Sequence, residues 1–185
     1  MKIRGDPDKI SRSRFFSAAG VDCFVTPYAW LSLPFFFSAG ILLAFLQRPP
    51  LPTAATLLPG ATYGLMLFLS NLLHSAGHVV AGKIAGVPDG CVIVTATFHI
   101  NYHRCEQGIC SRWTHIGRSG GGPLANLLFA SVALGLGGVH GAYWLGFAAK
   151  ANLIVGLWLL LPIPSLDGWV IWGELTGFRR RRPGP

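Results

Sequence analysis

The stretch that decides the fold runs from residue 61 to residue 82 and reads ATYGLMLFLSNLLHSAGHVVAG. It contains no Asp, Glu, Lys or Arg, and a helix of about 20 apolar residues is long enough to cross a hydrocarbon core roughly 30 Å thick. Two histidines, His74 and His78, lie near its end, four residues apart. The stretch therefore predicts a membrane-spanning helix that presents two imidazoles on one face.

The whole chain shares this scarcity of charge. Of its 185 residues, 15 are Lys or Arg and 7 are Asp or Glu, so that 12% are charged. That fraction is about half of the roughly 25% typical of soluble domains. Apolar residues make up 51%, and the mean hydropathy is +0.49. This composition excludes a disordered chain, a disulfide-dense secreted module and an ordinary cytosolic enzyme, and it indicates a membrane protein.

The charge-free runs predict an all-α polytopic membrane protein. They cover residues 23–47, 49–82, 119–149 and 151–166. We interpret them as four transmembrane spans, at about residues 27–46, 61–82, 120–138 and 151–173. The Pro- and Thr-rich part from Pro49 to Pro59 is interpreted as a loop, and Lys150 is assigned to the loop before the last span. Pro162 and Pro164 predict a break within that span.

Basic residues lie before the first span, in the loop after the second span and after the last span. Four crossings place these three segments on the same side, which the positive-inside rule identifies as the cytoplasm. We therefore predict a basic cytoplasmic N-terminal segment (residues 1–26), a transmembrane domain (27–178) and a basic cytoplasmic tail (179–185). The net charge of +8 is interpreted as topology and headgroup attraction. No nucleic-acid partner is expected, because no basic and aromatic platform accompanies the charges.

Three ionisable residues within or beside the spans call for a functional explanation, because such groups are costly at membrane depth. His74 and His78 have the i, i+4 spacing with which a helix presents two nitrogens to one metal ion. Asp167 follows the broken PIPS segment. Two His, one carboxylate and an open fourth position are the ligand set of a catalytic zinc site. The alternative is axial ligation of a haem or chlorophyll by a single imidazole.

Three motifs on successive spans carry a family resemblance. They are HSAGHVVAGKIAGVP at residues 74–88, GPLANLL at 122–128, and Asn152 followed by PIPSLDG at 162–168. Together they resemble the zinc-helix, the GPxxN segment and the N…PxPxLDG element of the site-2 protease family of intramembrane zinc metalloproteases. They occur in the family's order and cover nearly the whole chain beyond the first helix.

The resemblance implies a zinc ion held by His74, His78 and Asp167 within the bilayer. It also implies that Asn126 lies near the metal cleft, where it would orient a substrate carbonyl; the alternative is an interhelical hydrogen bond. Residues 91–100 (CVIVTATFHI) alternate in a way that predicts a small β element in the cytoplasmic middle loop. In the family, such an element helps to hold an unwound substrate.

One departure from the family changes the expected function. The family motif is HExxH, whereas this chain has HSAGH, so that Ser75 stands where the general-base glutamate belongs. A serine hydroxyl is too weak a base for that task, and Glu106 and Glu174 are remote in sequence. We therefore expect a proteolytically impaired protein that binds the transmembrane helix of a partner or forms a subunit of a membrane complex. The alternatives are an active intramembrane metalloprotease with another base and a tetrapyrrole-binding membrane subunit.

The middle loop contains further soft ligands. They are Cys91, His99, His103, Cys105, Cys110 and His115. Their spacing lacks a CxxC pair. A second zinc site and a set of free thiols and solvated imidazoles are the two interpretations.

Overall fold

A computed structural model describes residues 11–18, 20–46, 53–87, 90–97, 99–102, 111–140 and 143–177. The described chain is mostly helical, with a small sheet at one end of the helices. The helices are α1 (Ser32–Phe45), α2 (Thr53–Ile84), α3 (Arg112–His140), α4 (Tyr143–Leu159) and α5 (Asp167–Leu175). The strands are β1 (Ser13–Ala18), β2 (Val21–Val25), β3 (Cys91–Val94) and β4 (His99–Tyr102). A 3-10 turn, Ala29–Leu31, leads into α1.

The sheet has the strand order β1-β2-β3-β4. Its outer pairs are antiparallel and its central pair, β2 with β3, is parallel. The parallel pair exists because α1 and α2 form an antiparallel hairpin that returns the chain to the end from which it left. Phe36 of α1 packs against Phe68 of α2, whereas Gly40 lies against Gly60, so that the two helices run in opposite directions.

The sheet extends the β element expected at residues 91–100. β3 and β4 lie in that region, and β1 and β2 come from the N-terminal segment, for which the charge pattern predicts no strand. Phe24 of β2 packs against a buried cluster formed by Cys91, Ile93 and Ile100. The predicted helical fold with a small β element is therefore confirmed in outline, and the sheet is larger than predicted because apolar residues of the N-terminal segment complete its core.

Two helix boundaries also differ from the predictions. Residues 53–59, predicted to be a loop, belong to α2, which continues through Pro59. Helices in apolar surroundings tolerate an internal proline when neighbouring groups satisfy the freed backbone. Lys150, assigned to a loop, lies inside α4 with its side chain exposed. A charged residue does not end a helix whose backbone hydrogen bonds continue past it.

The surface of the helices is apolar and part of the interior is polar. Leu58, Leu128 and Ile154 are 77%, 68% and 66% exposed, whereas Asn126 and Asn152 are 0% and 1% exposed. Two helical segments, Thr56–Ile84 and Arg112–Gly137, are long and apolar enough to cross a membrane. The apolar segments Ala29–Phe45 and Trp144–Leu159 are shorter. Four crossings therefore stay a prediction.

Candidate metal centre

The two histidines of α2 meet at one point on the helix surface. Their rings are perpendicular, with centroids 4.6 Å apart, and the two Nε2 atoms lie 3.0 Å from each other. Both side chains are largely buried, with 16% and 12% of their surface exposed. The i, i+4 spacing places the rings on one face, and the neighbouring helix α3 encloses them.

The third member, Asp167, reaches the histidines because the chain is broken in front of it. α4 ends at Leu159, and α5 begins at Asp167 itself. Between them, Ser165 adopts a left-handed conformation with φ of 80°. Asp167 Oδ2 lies 3.3 Å from His74 Nε2 and 3.4 Å from His78 Nε2. The break thus aims a carboxylate at the two imidazoles, and its position in the first turn of α5 suits a negative charge.

Two of these three separations match the edges of a regular zinc tetrahedron, and the third, between the two Nε2 atoms, is about 0.3 Å shorter than such an edge. Zinc–ligand bonds of about 2.0–2.2 Å give ligand-to-ligand edges of about 3.3–3.6 Å in a regular tetrahedron. The separations here are 3.0, 3.3 and 3.4 Å. Within the described part of the chain, His74, His78 and Asp167 form the only group of three potential ligands with this convergence.

The hydrogen bonds of the two Nδ1 atoms, the outer nitrogens of the rings, show that the Nε2 atoms are the ones available to a metal. His74 Nδ1 lies 3.0 Å from Asn126 Oδ1, and His78 Nδ1 lies 2.8 Å from the backbone carbonyl oxygen of Arg118. Carbonyl oxygens only accept hydrogen bonds, so each Nδ1 donates a proton. Both Nε2 atoms then carry lone pairs that face a carboxylate oxygen. Three converging lone pairs are stabilised by a cation between them, and hydrogen bonds to the outer nitrogens are typical of zinc sites.

Asn126 belongs to a buried network that joins three helices. Its Nδ2 donates to Ser70 Oγ at 2.9 Å and to Asn152 Oδ1 at 2.8 Å, while its Oδ1 accepts from His74. Ser70 Oγ also donates to Asn152 Oδ1 at 2.8 Å. Each polar atom of the Asn126 amide is therefore engaged within the chain. This geometry favours the interhelical alternative for Asn126, with His74 as the residue that it orients.

Glycines let α3 approach the histidines. A Cβ atom added to Gly122 would lie 2.5 Å from His78 Nε2 and 2.6 Å from His74 Nδ1. The same packing continues along the pair of helices, where a Cβ atom on Gly77 would lie 2.7 Å from Ala125 Cβ. Close contact between α3 and the two imidazoles thus requires a glycine at position 122 of the GPLANLL motif.

Strand β4 docks on α2 at Ser75, the residue that replaces the glutamate. Ser75 Oγ lies 3.0 Å from His99 Nδ1, and Asn101 Nδ2 donates to the Ser75 backbone carbonyl oxygen at 2.9 Å. Burial lowers the pKa of His99 below its usual value, although a hydrogen bond to the Asn71 backbone acts in the opposite direction. The imidazole of His99 is therefore neutral near pH 7.

A cavity of about 470 Å³ connects these groups. Its lining includes the three potential ligands together with His99, Asn101 and Arg118, and apolar side chains such as Phe36 and Val155. A space of this size lies within the range of about 300–1,000 Å³ typical of ligand pockets. The cavity thus brings the potential metal ligands and the β4 side chains to one chamber.

Sequence reasoning missed the role of His99, Asn101 and Ser70 at this site. The alternation along β4 carries the relevant signal, because His99 and Asn101 share one face of the strand while Ile100 faces the sheet core. His99 and His115 were candidates for a second zinc site; His99 instead contacts Ser75, and His115 lies in α3. The other candidates His103, Cys105 and Cys110 lie outside the described residues.

No family model and no curated protein matches the chain. Among solved structures, it is similar to the site-2 protease from Methanocaldococcus jannaschii, with a TM-score of 0.62. The match covers 91% of this chain and 73% of that chain at 18% sequence identity. The chain has a site-2-protease-like fold. At this identity the likeness concerns the fold alone, and it agrees with the fold expected from the three sequence motifs.

Proposed function

We propose that this protein is an integral membrane protein that holds a zinc ion with His74, His78 and Asp167 and hydrolyses peptides poorly or not at all. The observation that carries the proposal is the convergence of three lone-pair atoms at separations of 3.0, 3.3 and 3.4 Å. Bound zinc would supply Lewis acidity and lower the pKa of a coordinated water to about 7. The protein's own groups decide whether that water can be used.

The impairment follows from the residue beside His74. General acid–base catalysis contributes about 10²–10⁴-fold to a rate, and Ser75 offers a hydroxyl in place of a carboxylate. Among the described residues that line the cavity, Asp167 is the only carboxylate, and its Oδ2 already faces the two imidazoles. The site therefore keeps its metal ligands and lacks an acidic base.

The proposed role is binding of a membrane partner. The cavity combines apolar walls with polar groups that can form further hydrogen bonds. Such a lining suits a transmembrane segment whose backbone is partly unwound. The apolar outer surface of the helices supports an integral membrane location and is also the surface through which a subunit would pack in a larger complex. The proposed topology is multi-pass, with both termini in the cytoplasm.

The geometry favours a metal ion over a tetrapyrrole. Axial ligation requires one imidazole Nε2 that faces open space along the normal of the macrocycle. Here the Nε2 atoms of His74 and His78 point toward each other and toward Asp167. An absorption spectrum of the purified protein without a Soret or chlorophyll band is the expected result.

Elemental analysis of the purified full chain tests the zinc site. We expect about one zinc ion per chain, and its loss in His78→Ala and Asp167→Asn. His115→Ala removes an imidazole from α3 outside the cavity lining and is expected to retain the metal. Wild-type protein that binds no zinc, or variants that keep it, would contradict the ligand assignment.

A second measurement tests the impairment. Zinc-loaded protein and a site-2 protease with the HExxH motif are compared on the same single-span substrate in detergent. We expect cleavage slower by about 10²–10⁴-fold. Equal rates would contradict the proposed loss of function.

A further inference from the structure

We propose that the face of α4 turned away from α3 is a docking surface for the transmembrane helix of a partner that carries an Asp or Glu at the depth of Lys150. The inference deepens the binding role proposed above, since it names a surface and the chemistry of the partner. It rests on the integral membrane location in that proposal, and it does not depend on the metal centre.

The inner face of α4 packs against α3. Leu145 and Ala149 form a buried cluster with Ala133 of α3. Further along the helix, a Cβ atom added to Gly156 would lie 3.0 Å from Leu127 Cγ. The α4 residues in these contacts recur at spacings of one and two helical turns, so they share one side of the helix. This side is covered within the chain.

The outer face of α4 is exposed along most of the helix. Its residues follow the i, i+3, i+4, i+7 and i+8 spacing of a single helix face. They are Lys150, Leu153, Ile154, Leu157 and Trp158. The four apolar side chains are 40%, 66%, 53% and 57% exposed, in that order. An apolar face of this kind suits lipid as well as another helix, and the lysine on it distinguishes the two.

Lys150 lies too deep in the helix for lipid to suit its side chain. The 17 residues of α4 correspond to about 25 Å of helix, whereas the hydrocarbon core is roughly 30 Å thick. Lys150 is about 10 Å from the start of α4 and about 13 Å from its end. An extended lysine side chain is shorter than either distance. Surrounded by lipid, its ammonium group would stay in hydrocarbon, which is costly.

The chain itself offers this ammonium group no counter-charge at the same depth. Among the described residues, the ion pairs join Arg14 to Asp22 and Asp167 to the two histidines of α2, and none includes Lys150. Glu174 lies at the far end of α5, beyond Asp167. The other carboxylates of the sequence belong to the N-terminal segment and the middle loop, which the proposed topology places in the cytoplasm. A carboxylate that pairs with Lys150 therefore comes from another molecule.

A helix with one carboxylate fits this face better than a second copy of the chain does. Two copies inserted in the same orientation would bring their Lys150 side chains to the same depth, so that like charges would meet. A partner helix with an Asp or Glu supplies the opposite charge and satisfies its own backbone hydrogen bonds in lipid. Its apolar side chains would pack along Ile154 and Trp158.

The test uses the full chain in phosphatidylcholine vesicles with a synthetic helix of about 20 residues, mostly leucine, that has one Asp at its centre. A photoreactive benzoylphenylalanine replaces Ile154, or, as the control, Leu42 of α1, which is 59% exposed. We expect crosslinks to the Asp peptide from position 154 and few from position 42. A matched peptide with Leu in place of the Asp is expected to crosslink less by about tenfold or more.

Two substitutions of the lysine test the role of its charge. Lys150→Leu is expected to lower crosslinking of the Asp peptide by about tenfold or more, whereas Lys150→Arg keeps the positive charge and is expected to retain it. Lys150 is not among the residues that line the cavity, so both variants are expected to bind zinc as the wild-type protein does. Normal zinc content also shows that the variants are folded.

The docking surface and the metal centre can fail separately. His78→Ala is expected to lose zinc and to crosslink the Asp peptide as efficiently as the wild-type protein. A wild-type chain that crosslinks this peptide through Lys150 and binds no zinc would overturn the proposed metal site and leave the docking surface in place.

Several results would overturn the docking surface itself. One is equal crosslinking of the Asp and Leu peptides, and another is undiminished crosslinking in Lys150→Leu. Lys150-dependent crosslinks between two copies of the chain, with none to the Asp peptide, would identify a homodimer instead. Lys150-dependent crosslinks to added phosphatidylglycerol, with none to the Asp peptide, would identify an anionic lipid as the occupant.

Discussion

At the scale of single residues, the site is defined by how closely backbone and imidazole approach. Gly122 of α3 lies against both histidines, and the outer nitrogens of those histidines bond to Asn126 and to the Arg118 carbonyl. All of these contacts come from α3. One helix therefore supplies both the hydrogen bonds and the clearance that orient the two imidazoles of its neighbour.

Gly122→Ala tests this arrangement. The added methyl group would lie 2.5 Å from His78 Nε2 and 2.6 Å from His74 Nδ1, so that at least one imidazole has to move. We expect zinc affinity to fall by about 10–100-fold, as for other changes that displace ligand orientation. Zinc titration against a chelating dye measures the effect.

The matched control is Gly117→Ala in the same helix, where no described atom lies within 4 Å of the added methyl group. It is expected to bind zinc as tightly as the wild-type protein. Equal affinities for Gly122→Ala and wild type would show that the imidazoles have more space than the structure indicates.

The residues of the site differ in how far sequence alone predicts them. His74 and His78 follow from helical periodicity, because four residues make about one turn. Asp167 follows from the cost of a carboxylate at membrane depth and its position after the proline break, and the family resemblance supports it. The contact between Ser75 and His99 could not be predicted, because it joins residues 24 apart through a strand that must first pair with β3. Local patterns do not encode such a tertiary contact.

At the scale of elements, α1 and α2 are joined through glycines. A Cβ atom on Gly64 would lie 2.7 Å from Phe37 Cα and 2.8 Å from the Phe36 carbonyl oxygen. Gly60 and Gly64 form a small-xxx-small pair on α2, a spacing that allows helix backbones to approach closely in membranes. Dispersion contacts along this seam hold the hairpin together.

Gly64→Leu is expected to force the two helices apart and to lower the free energy of unfolding by about 1–3 kcal/mol. Denaturant unfolding in detergent, followed by tryptophan fluorescence, measures the change. Gly135→Leu on α3 is the control, since nothing described lies within 4 Å of its added Cβ. A similar loss in both variants would argue against a specific α1–α2 contact.

The elements themselves were predictable to different degrees. Charge-free runs predict where helices lie, since the membrane excludes charge, and the prolines between Leu159 and Asp167 mark the break. The same rules fail at Pro59 and Lys150. They describe how unfavourable a charge or a proline is within a membrane-spanning helix, and they do not determine where the backbone hydrogen bonds of a helix end. β1 and β2 were missed because short strands take their stability from pairing with distant strands.

At the scale of the whole molecule, the proposed topology places the sheet and the metal centre toward the cytoplasmic ends of the helices. β4 contacts α2 at Ser75, and α5 begins at Asp167 beside the same residues. α4 ends near the metal centre, and Trp144 lies at the opposite end of this helix. The molecule is thus polarised, with its polar chemistry at one end.

Cysteine labelling tests that polarity. The four native cysteines are replaced by alanine, and single cysteines are introduced at Ser11, Trp144 or Thr176, all exposed. With a membrane-impermeant maleimide on intact cells, we expect labelling at position 144 alone. Disrupted membranes provide the control, in which all three positions react. Labelling of position 11 in intact cells would contradict the cytoplasmic assignment of the N-terminal segment.

The parallel pairing of β2 with β3 has a consequence for biosynthesis. β2 ends at Val25 and its partner begins at Cys91, with both helices of the hairpin between them. A two-stranded hairpin alone is marginally stable in water. While the ribosome makes the intervening segment, the edge of β2 that later pairs with β3 therefore has no partner strand. In the proposed topology, the sheet that carries His99 can form only after α1 and α2 have entered the membrane and returned the chain to the same side.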